Sequence, residues 1–522
     1  MTEIIRARNT LTTYLADKKG RSSYNFKRHA IQNCLYGVDI DPGAVEIAKL
    51  RLWLSLVVDE EDIKQIKPLP NLDYKIVCGN SLLGVQRDMF NNELFQRLEE
   101  LKPLYFNETN AKKKQAYKIE IGSLINQITN NNQNFDFEVY FSEVFHEKGG
   151  FDVVIANPPY GATIDKNELQ EIIRKARDTT SSNSAAIFID LSKNRLISDK
   201  GTLTFIVPKS LLFAEIWFSL VKSLIGKVTT LVDVEKAFEK VKLEQVFFSY
   251  NPCINTEFYL ARKFLDSEFT TTTVIPNNMV SKFQAWICDV TEEELNIVRH
   301  MTTDFDFMRQ ISKTKRGAPI QKDLSTKGEF PVIGGKNIYK YGYCGTKGYL
   351  SKRVLNNYRQ KVLFLNQPKI ISQRLVAHIQ NPYPHVQIMA AYDPKGHILS
   401  VDTVENTILN DNSYDYRYIL GLLNSKLISW YAYKFIFCSA IRTMDFDDYY
   451  VGKIPIPKLN RDQQQAIISV IEKILSSTMA EDYTISESKQ NKVREYERQI
   501  DQMVYELYGL TPEEIAVVEG KK

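Results

Sequence analysis

The run FDVVIANPPYG, residues 151–161, decides how the first half of this 522-residue chain is read. Phe151 to Ala156 reads as a strand, and Asn157-Pro158-Pro159-Tyr160 follows it directly. A turn is the plain reading, since Asn-Pro and Pro-Pro are turn formers. Two things weigh against a turn alone. At average composition the tetrapeptide arises by chance in a chain this long only on the order of a few times in a thousand. It also stands at the carboxyl end of a strand, where open α/β sheets bind their ligands. The residue types suit methylation of a planar amino nitrogen, whose lone pair is shared with its ring. The Asn157 side-chain oxygen and the Pro158 carbonyl accept hydrogen bonds from such an amino group and stabilise the charge it develops. Pro158 and Pro159 stiffen the backbone, and Tyr160 offers a flat face to a base.

Outward from this run the chain alternates strands and helices. Leu35–Ile40, Lys75–Cys78, Thr202–Val207 and Val228–Val234 are strand candidates, separated by helical stretches such as Gly43–Val58, Ala185–Leu196 and Leu211–Leu224. That order predicts an α/β fold with a doubly wound, mostly parallel sheet. The helix from Gly43, opened by Pro42, is apolar on nearly all sides, which predicts deep packing. Asp39, at the end of the first of these strands, suits two ribose hydroxyls, while Asp41 suits the helix N-terminus. Asn80 and Ser81, after KIVCG, suit an adenine edge, with Ile40 packing on the ring. Trp217 is weighed evenly between core and base stacking. The polar segment Asn107–Asn134 is expected to be an exposed excursion.

Composition sets the outer bounds. Hydrophobic residues make up 43% and charged residues 25% of the chain, an ordinary globular balance. The apolar stretch Leu52–Val58 is far shorter than the roughly 20 residues of a membrane helix. Residues 1–20 carry no apolar signal core. The six cysteines form no CxxC pair and the six histidines no HExxH, so no metal is expected. These features predict a soluble protein of a reducing compartment. Fourteen basic residues against two acidic ones between Lys313 and Arg374 give a local charge of +12, leaving −8 for the rest of a chain of net charge +4. Tyrosines 339, 341, 343, 349 and 358 interleave with that charge, a pattern that suits nucleic acid. Lys352, Arg353, Arg359 and Arg374 are the candidate DNA contacts.

YGVDIDP (36–42), GNSLLG (79–84), FDVVIANPPYG and FIVP (205–208) together resemble the gamma-class N6-adenine DNA methyltransferases. The whole chain is more closely similar to the methyltransferase and specificity portion of type IIG restriction-modification enzymes. The second half carries ILGLLNS (419–425), IPIP (454–457) and REYERQIDQMVYELYGLTPEEI (494–515). The resemblance implies a Rossmann-like S-adenosylmethionine-dependent methyltransferase domain, then a mixed α/β target recognition domain and C-terminal helices. It implies S-adenosylmethionine as cofactor, with Asp39 on its ribose and Asn80 and Ile40 near its adenine. It assigns Asn157, Pro158 and Tyr160 to a flipped adenine of double-stranded DNA, with Trp217 opposite the tyrosine, and a prokaryotic, DNA-associated, cytoplasmic setting.

One feature of that family is not legible. Residues 1–35 contain a single glycine, Gly20, and no glycine-rich loop of the kind that cradles the methionine end of the cofactor. No nuclease motif of the acidic-acidic-lysine type is evident either. An upstream polypeptide or segment is therefore an expected partner. The expected domains are a methyltransferase domain at 1–265, incomplete at its start, a connector at 266–310, a recognition domain at 311–460 and a helical segment at 461–522. Rival readings are methylation of RNA or of protein glutamine, a catalytically silent DNA-binding specificity chain, and a restriction endonuclease whose nuclease lies elsewhere.

Overall fold

In the computed structural model Asp41 caps the helix Pro42–Val57, accepting hydrogen bonds from the N–H groups of Gly43 (2.7 Å) and Ala44 (3.4 Å), with Pro42 in the first turn. The structure describes residues 23–58, 72–82, 84, 92–108, 110–129, 135–161, 164–238, 241–303, 305–358, 362, 364–480 and 482–521. The chain divides into two units, residues 1–205 with 251–253 and residues 206–250 with 254–522. This division falls inside a strand.

In the first unit β1 (Gly37–Asp39) pairs in parallel with β2 (Ile76–Cys78), and β3 (Phe151–Ala156) pairs in parallel with β4 (Ile197–Pro208), in which the chain passes to the second unit. Tyr24, Ile31, Val45, Leu56, Leu72 and Ile76 form a core under β1 and β2. The expected deep packing of helix Pro42–Val57 is corrected. Among its apolar side chains Val45 and Leu56 are buried, but Ile47, Leu50 and Leu54 are more than half exposed. The excursion expected at Asn107–Asn134 is also corrected. Ala111–Ile128 is a helix that buries Ile121, Leu124, Ile125 and Ile128 against Phe95, Leu98, Leu101 and Tyr105 of helix Asn92–Asn107. Its apolar residues recur at i, i+3, i+4 and i+7, a signal masked by the polar residues around them.

In the second unit β5 (Val228–Asp233) runs parallel to β7 (Phe258–Leu265) and antiparallel to β6 (Gln245–Tyr250), and β8 (Glu268–Pro276) pairs antiparallel with β7. Lys209, just after β4, is buried. Its ammonium donates to Asp233 (2.6 Å), Glu244 (3.4 Å) and the carbonyl of Ser439 (3.2 Å), which ties this α/β part to residues 230 positions later. A buried charge is tolerated here because it is paired on two sides.

Further along, an antiparallel sheet runs in the order Ser312–Arg316, Val404–Leu409, Lys369–Gln373, Ala390–Asp393. A smaller sheet joins Gly348–Leu350, Phe330–Ile333 and Leu399–Ser400. Residues 416–431 form two helices, Tyr416–Leu423 and Lys426–Tyr431, because Ser425 ends one and caps the other by accepting from Ile428 N–H at 3.3 Å. The tail is helical, as expected, at Arg461–Thr478, Glu487–Leu507 and Pro512–Val518.

Candidate active site and nucleic-acid interface

The predicted residues of the first unit gather at strand ends. Asp39 closes β1, and its carbonyl accepts the N–H of Gly79, the residue after β2, at 2.9 Å. The Asp39 carboxylate is exposed and accepts from the N–H of Asp41 at 2.8 Å. Gly79 must be glycine, because a Cβ there would sit 2.5 Å from the Phe135 ring. Asn80 folds its side-chain oxygen onto the N–H of Leu82 at 3.1 Å, forming an Asx turn that fixes the loop. Ile40 is exposed beside it. A groove of about 260 Å³ is lined by Gly37 and Val38 of β1, Ser81, and Val153 to Ala156 of β3. Along it Val153 is 57% and Ile155 77% exposed, an unusual state for a strand read as buried.

The Asn157–Tyr160 run turns away from β3 as a built corner. Asn157 is exposed, and its side chain makes no hydrogen bond among the described residues, so its amide is available to a ligand. Pro158 is buried and Tyr160 half-buried, and burial pushes the tyrosine phenol up so that it stays neutral. The carbonyl of Pro159 is held by the Ser184 hydroxyl at 2.6 Å. Ser184 opens helix Ser184–Leu191, which Asn183 caps through the Ala185 N–H at 2.9 Å. On the same helix Asp190 is buried and accepts from the N–H groups of Arg177, Asp178 and Thr179, fixing the segment that leads back to the corner. Ser184 and Asp190 escaped the sequence reading. Asn183-Ser184 before an apolar run is a helix-start signal that marks the first of them.

In the second unit Trp217 is 0% exposed and its indole N–H has no partner among the described residues. Such a ring presents no face to a base, so of its two weighed roles the structure takes core. Phe238, after the carboxyl end of β5, is 39% exposed.

The basic stretch is partly neutralised by acids outside it. Lys369 is buried against Asp393 (2.6 Å), Lys313 pairs with Asp448, Arg316 with Asp402 (3.1 Å) and Arg374 with Asp445 (3.0 Å). The interleaved tyrosines mostly pack. Tyr341 is fully buried, Tyr339 stacks on Tyr483 and donates to the Thr478 carbonyl, and Tyr358 donates to Asp323. Lys352 and Arg353, on helix Lys352–Asn357, are exposed and carry no ion pair among the described residues. Lys322, Lys327, Lys336 and Lys347 are exposed as well. Arg359 lies outside the described residues. No group of histidine, cysteine and carboxylate side chains fit for a metal, and no helix long and apolar enough to cross a membrane, occurs among the described residues.

Residues 33–238 match the Eco57I restriction-modification methylase family, and residues 330–456 match the TaqI-like C-terminal specificity domain. A Methanocaldococcus jannaschii protein named as a type II restriction enzyme and methyltransferase is 25% identical over 529 aligned positions, which take in 81% of this chain and 44% of that protein. The chain thus spans less than half the length of this curated relative. Among solved structures, the type IIL restriction-modification enzyme MmeI in complex with DNA aligns over 99% of this chain and 76% of its own, with 11% identity and a TM-score of 0.49. The DrdV–DNA complex aligns over 92% and 57%, with 11% identity and a TM-score of 0.41. Residues 33–238 are thus similar to restriction-modification methylases, and residues 330–456 to TaqI-like specificity domains.

Proposed function

We propose that the chain is the methylase and specificity portion of an enzyme that transfers a methyl group from S-adenosylmethionine to adenine N6 in duplex DNA, in a prokaryotic cytoplasm. The observation that carries this reading is the Asn157–Tyr160 corner at the end of β3, with an exposed amide and a carbonyl locked by Ser184. The exposed Asp39 carboxylate, exposed Ile40 and the tight Gly79–Asn80 turn fit the ribose and adenine of a nucleoside cofactor. When bound, that cofactor supplies an electrophilic methyl group. Asn157 and the Pro158 carbonyl would orient the amino nitrogen and stabilise charge as it builds, and Tyr160 would stack on the base after it leaves the duplex. The amino group of adenine presents two N–H bonds to these two acceptors. A glutamine amide presents the same group without a ring for Tyr160, and RNA without the duplex that a specificity domain reads.

The reading includes a completing polypeptide that carries a strand and a glycine-rich loop. Its support is the apolar surface of the first unit: Val153 and Ile155 along the groove, and Ile47, Leu50 and Leu54 on helix Pro42–Val57. Covering these five side chains is worth on the order of 5–10 kcal/mol before ordering costs.

The exposed cations lead to a prediction. Binding of the full chain to duplex DNA falls steeply with salt, by about 0.9 in log affinity per unit log salt for each phosphate neutralised. The doubly substituted Lys352→Ala, Arg353→Ala chain binds all sequences more weakly and loses about two phosphates' worth of slope. Filter binding across a salt series measures it. A salt-independent isotherm would assign these charges to solubility.

A further inference from the structure

The loop at residues 438–443 is held in place by strained backbone and by a buried ion pair. Cys438 and Ser439 both take left-handed backbone, with φ of 49° and 56°. That conformation is costly for residues with a Cβ, and it persists only where the surroundings over-determine it. Here they do. The N–H of Ser439 donates to the Tyr433 carbonyl (2.9 Å) and that of Ala440 to the Phe437 carbonyl (3.1 Å). The Ser439 carbonyl accepts from the buried Lys209 ammonium at 3.2 Å. Glu244, 3% exposed, gives one carboxylate oxygen to Lys209 (3.4 Å) and the other to the N–H of Ile441 (2.9 Å).

On this platform Ile441, Arg442 and Thr443 are all exposed, and Ile441 shows 45% of its surface. A single exposed isoleucine is ordinary. This one has its own N–H bonded to a buried carboxylate, which a buried lysine holds in turn, so a fixed backbone presents an apolar side chain to solvent. A loop that merely joined two elements would need neither the left-handed pair nor the ion pair beneath it. Its two attachments indicate what it faces. Lys209 and Asp233, which anchor its first half, stand at the carboxyl ends of β4 and β5, the end at which open α/β sheets take their ligands. Its second half runs into strand Met444–Asp445, antiparallel to Leu375–Val376. Leu375 lines a cleft of about 580 Å³ that the exposed Lys336 and Lys347 also line. The loop therefore links a ligand-binding strand end to a cleft flanked by positive charge.

We infer that Ile441 is a wedge that enters the base stack of duplex DNA and occupies the space left by the extruded adenine. The inference rests on the reading of this chain as an enzyme that takes its target base out of the duplex. Apolar side chains inserted between base steps unstack them, and an isoleucine on a rigid support does so without losing the ordering of its own loop. Arg442, exposed beside it, supplies a charge for the phosphates next to the gap.

The test uses the full chain and a duplex of the sequence it prefers, selected from a randomised library, with 2-aminopurine replacing each adenine in turn. This base emits weakly inside the stack and strongly outside it. The unsubstituted chain should raise the emission at one adenine. Ile441→Ala should cut that rise by about tenfold while duplex affinity stays within a fewfold. Ile441→Leu, which keeps the apolar bulk, should retain most of it. A mismatch opposite the same adenine lowers the cost of extrusion, so it should restore the rise in Ile441→Ala. A merely structural residue would show no such rescue. Thermal unfolding is followed alongside, and Ile441→Thr, which shortens the apolar reach but keeps the branch, serves if the alanine variant does not fold. A full rise in the shortened variant on paired DNA, or a loss that the mismatch fails to restore, would overturn the inference while leaving base extrusion in place. An unsubstituted chain that selects no sequence, or raises no emission on paired or mismatched duplex, would overturn both.

Discussion

Mixed alone with labelled S-adenosylmethionine and duplex DNA, the 522-residue chain should transfer methyl groups at a rate lower, by on the order of a thousandfold or more, than once a completing strand and glycine-rich loop are supplied. The reason is positional. Asp39 and the Gly79–Asn80 turn can hold the nucleoside end of the cofactor, but the groove between β1 and β3 is lined by strand residues, Gly37, Val38 and Val153 to Ala156, and by no glycine-rich loop among the described residues. A donor group that is bound but not aimed contributes little to the chemical step. The same segment should raise thermal stability, because it covers Val153, Ile155 and the exposed face of helix Pro42–Val57. The check is tritium transfer by the chain with and without the added segment, with melting temperature followed in parallel. Robust turnover by the chain alone would remove the requirement.

In the completed enzyme Asn157→Ala should lower turnover by at least about a hundredfold while DNA affinity stays within a fewfold. The Asn157 amide is exposed and makes no hydrogen bond among the described residues, so its removal disturbs little of the fold. Its work is done as charge develops on the amino nitrogen, and a preorganised acceptor of that kind is worth roughly 3 kcal/mol in the transition state. Single-turnover methylation and equilibrium DNA binding, measured on the same preparations, separate the two effects. Equal losses in binding and turnover would mean that Asn157 merely supports the corner.

How much of this could be read from the sequence depends on whether the signal was local. β3 was legible to the residue, because FDVVIA is an apolar run closed by two prolines. The Asp41–Pro42 helix start was legible for the same kind of reason. What failed was burial. Helix Pro42–Val57 is apolar all round, which predicts packing on all sides, but burial depends on which neighbours are present, and the sequence of the helix cannot report them. Helix Ala111–Ile128 was hidden because its apolar stripe is diluted by lysine, asparagine and glutamine on the other face. In the basic stretch the count of charges was legible and their ion pairs were not. Lys369 meets Asp393 and Arg374 meets Asp445, partners that strand pairing brings in from 24 and 71 positions away. Tyr341 and Tyr339 pack for the same reason. In the candidate site the strand-end residues stand where expected, while Ser184 and Asp190 act through backbone bonds that only the folded chain displays.

The central claim is that the Asn157–Tyr160 corner directs a methyl group to adenine N6 in duplex DNA. Its most direct test digests duplex DNA methylated by the completed enzyme with S-adenosylmethionine and resolves the nucleosides by mass. The account predicts N6-methyldeoxyadenosine as the product, absent when Asn157→Ala replaces the unsubstituted chain. Methylated cytosine in its place, or label found only in RNA or protein offered alongside the DNA, would contradict it.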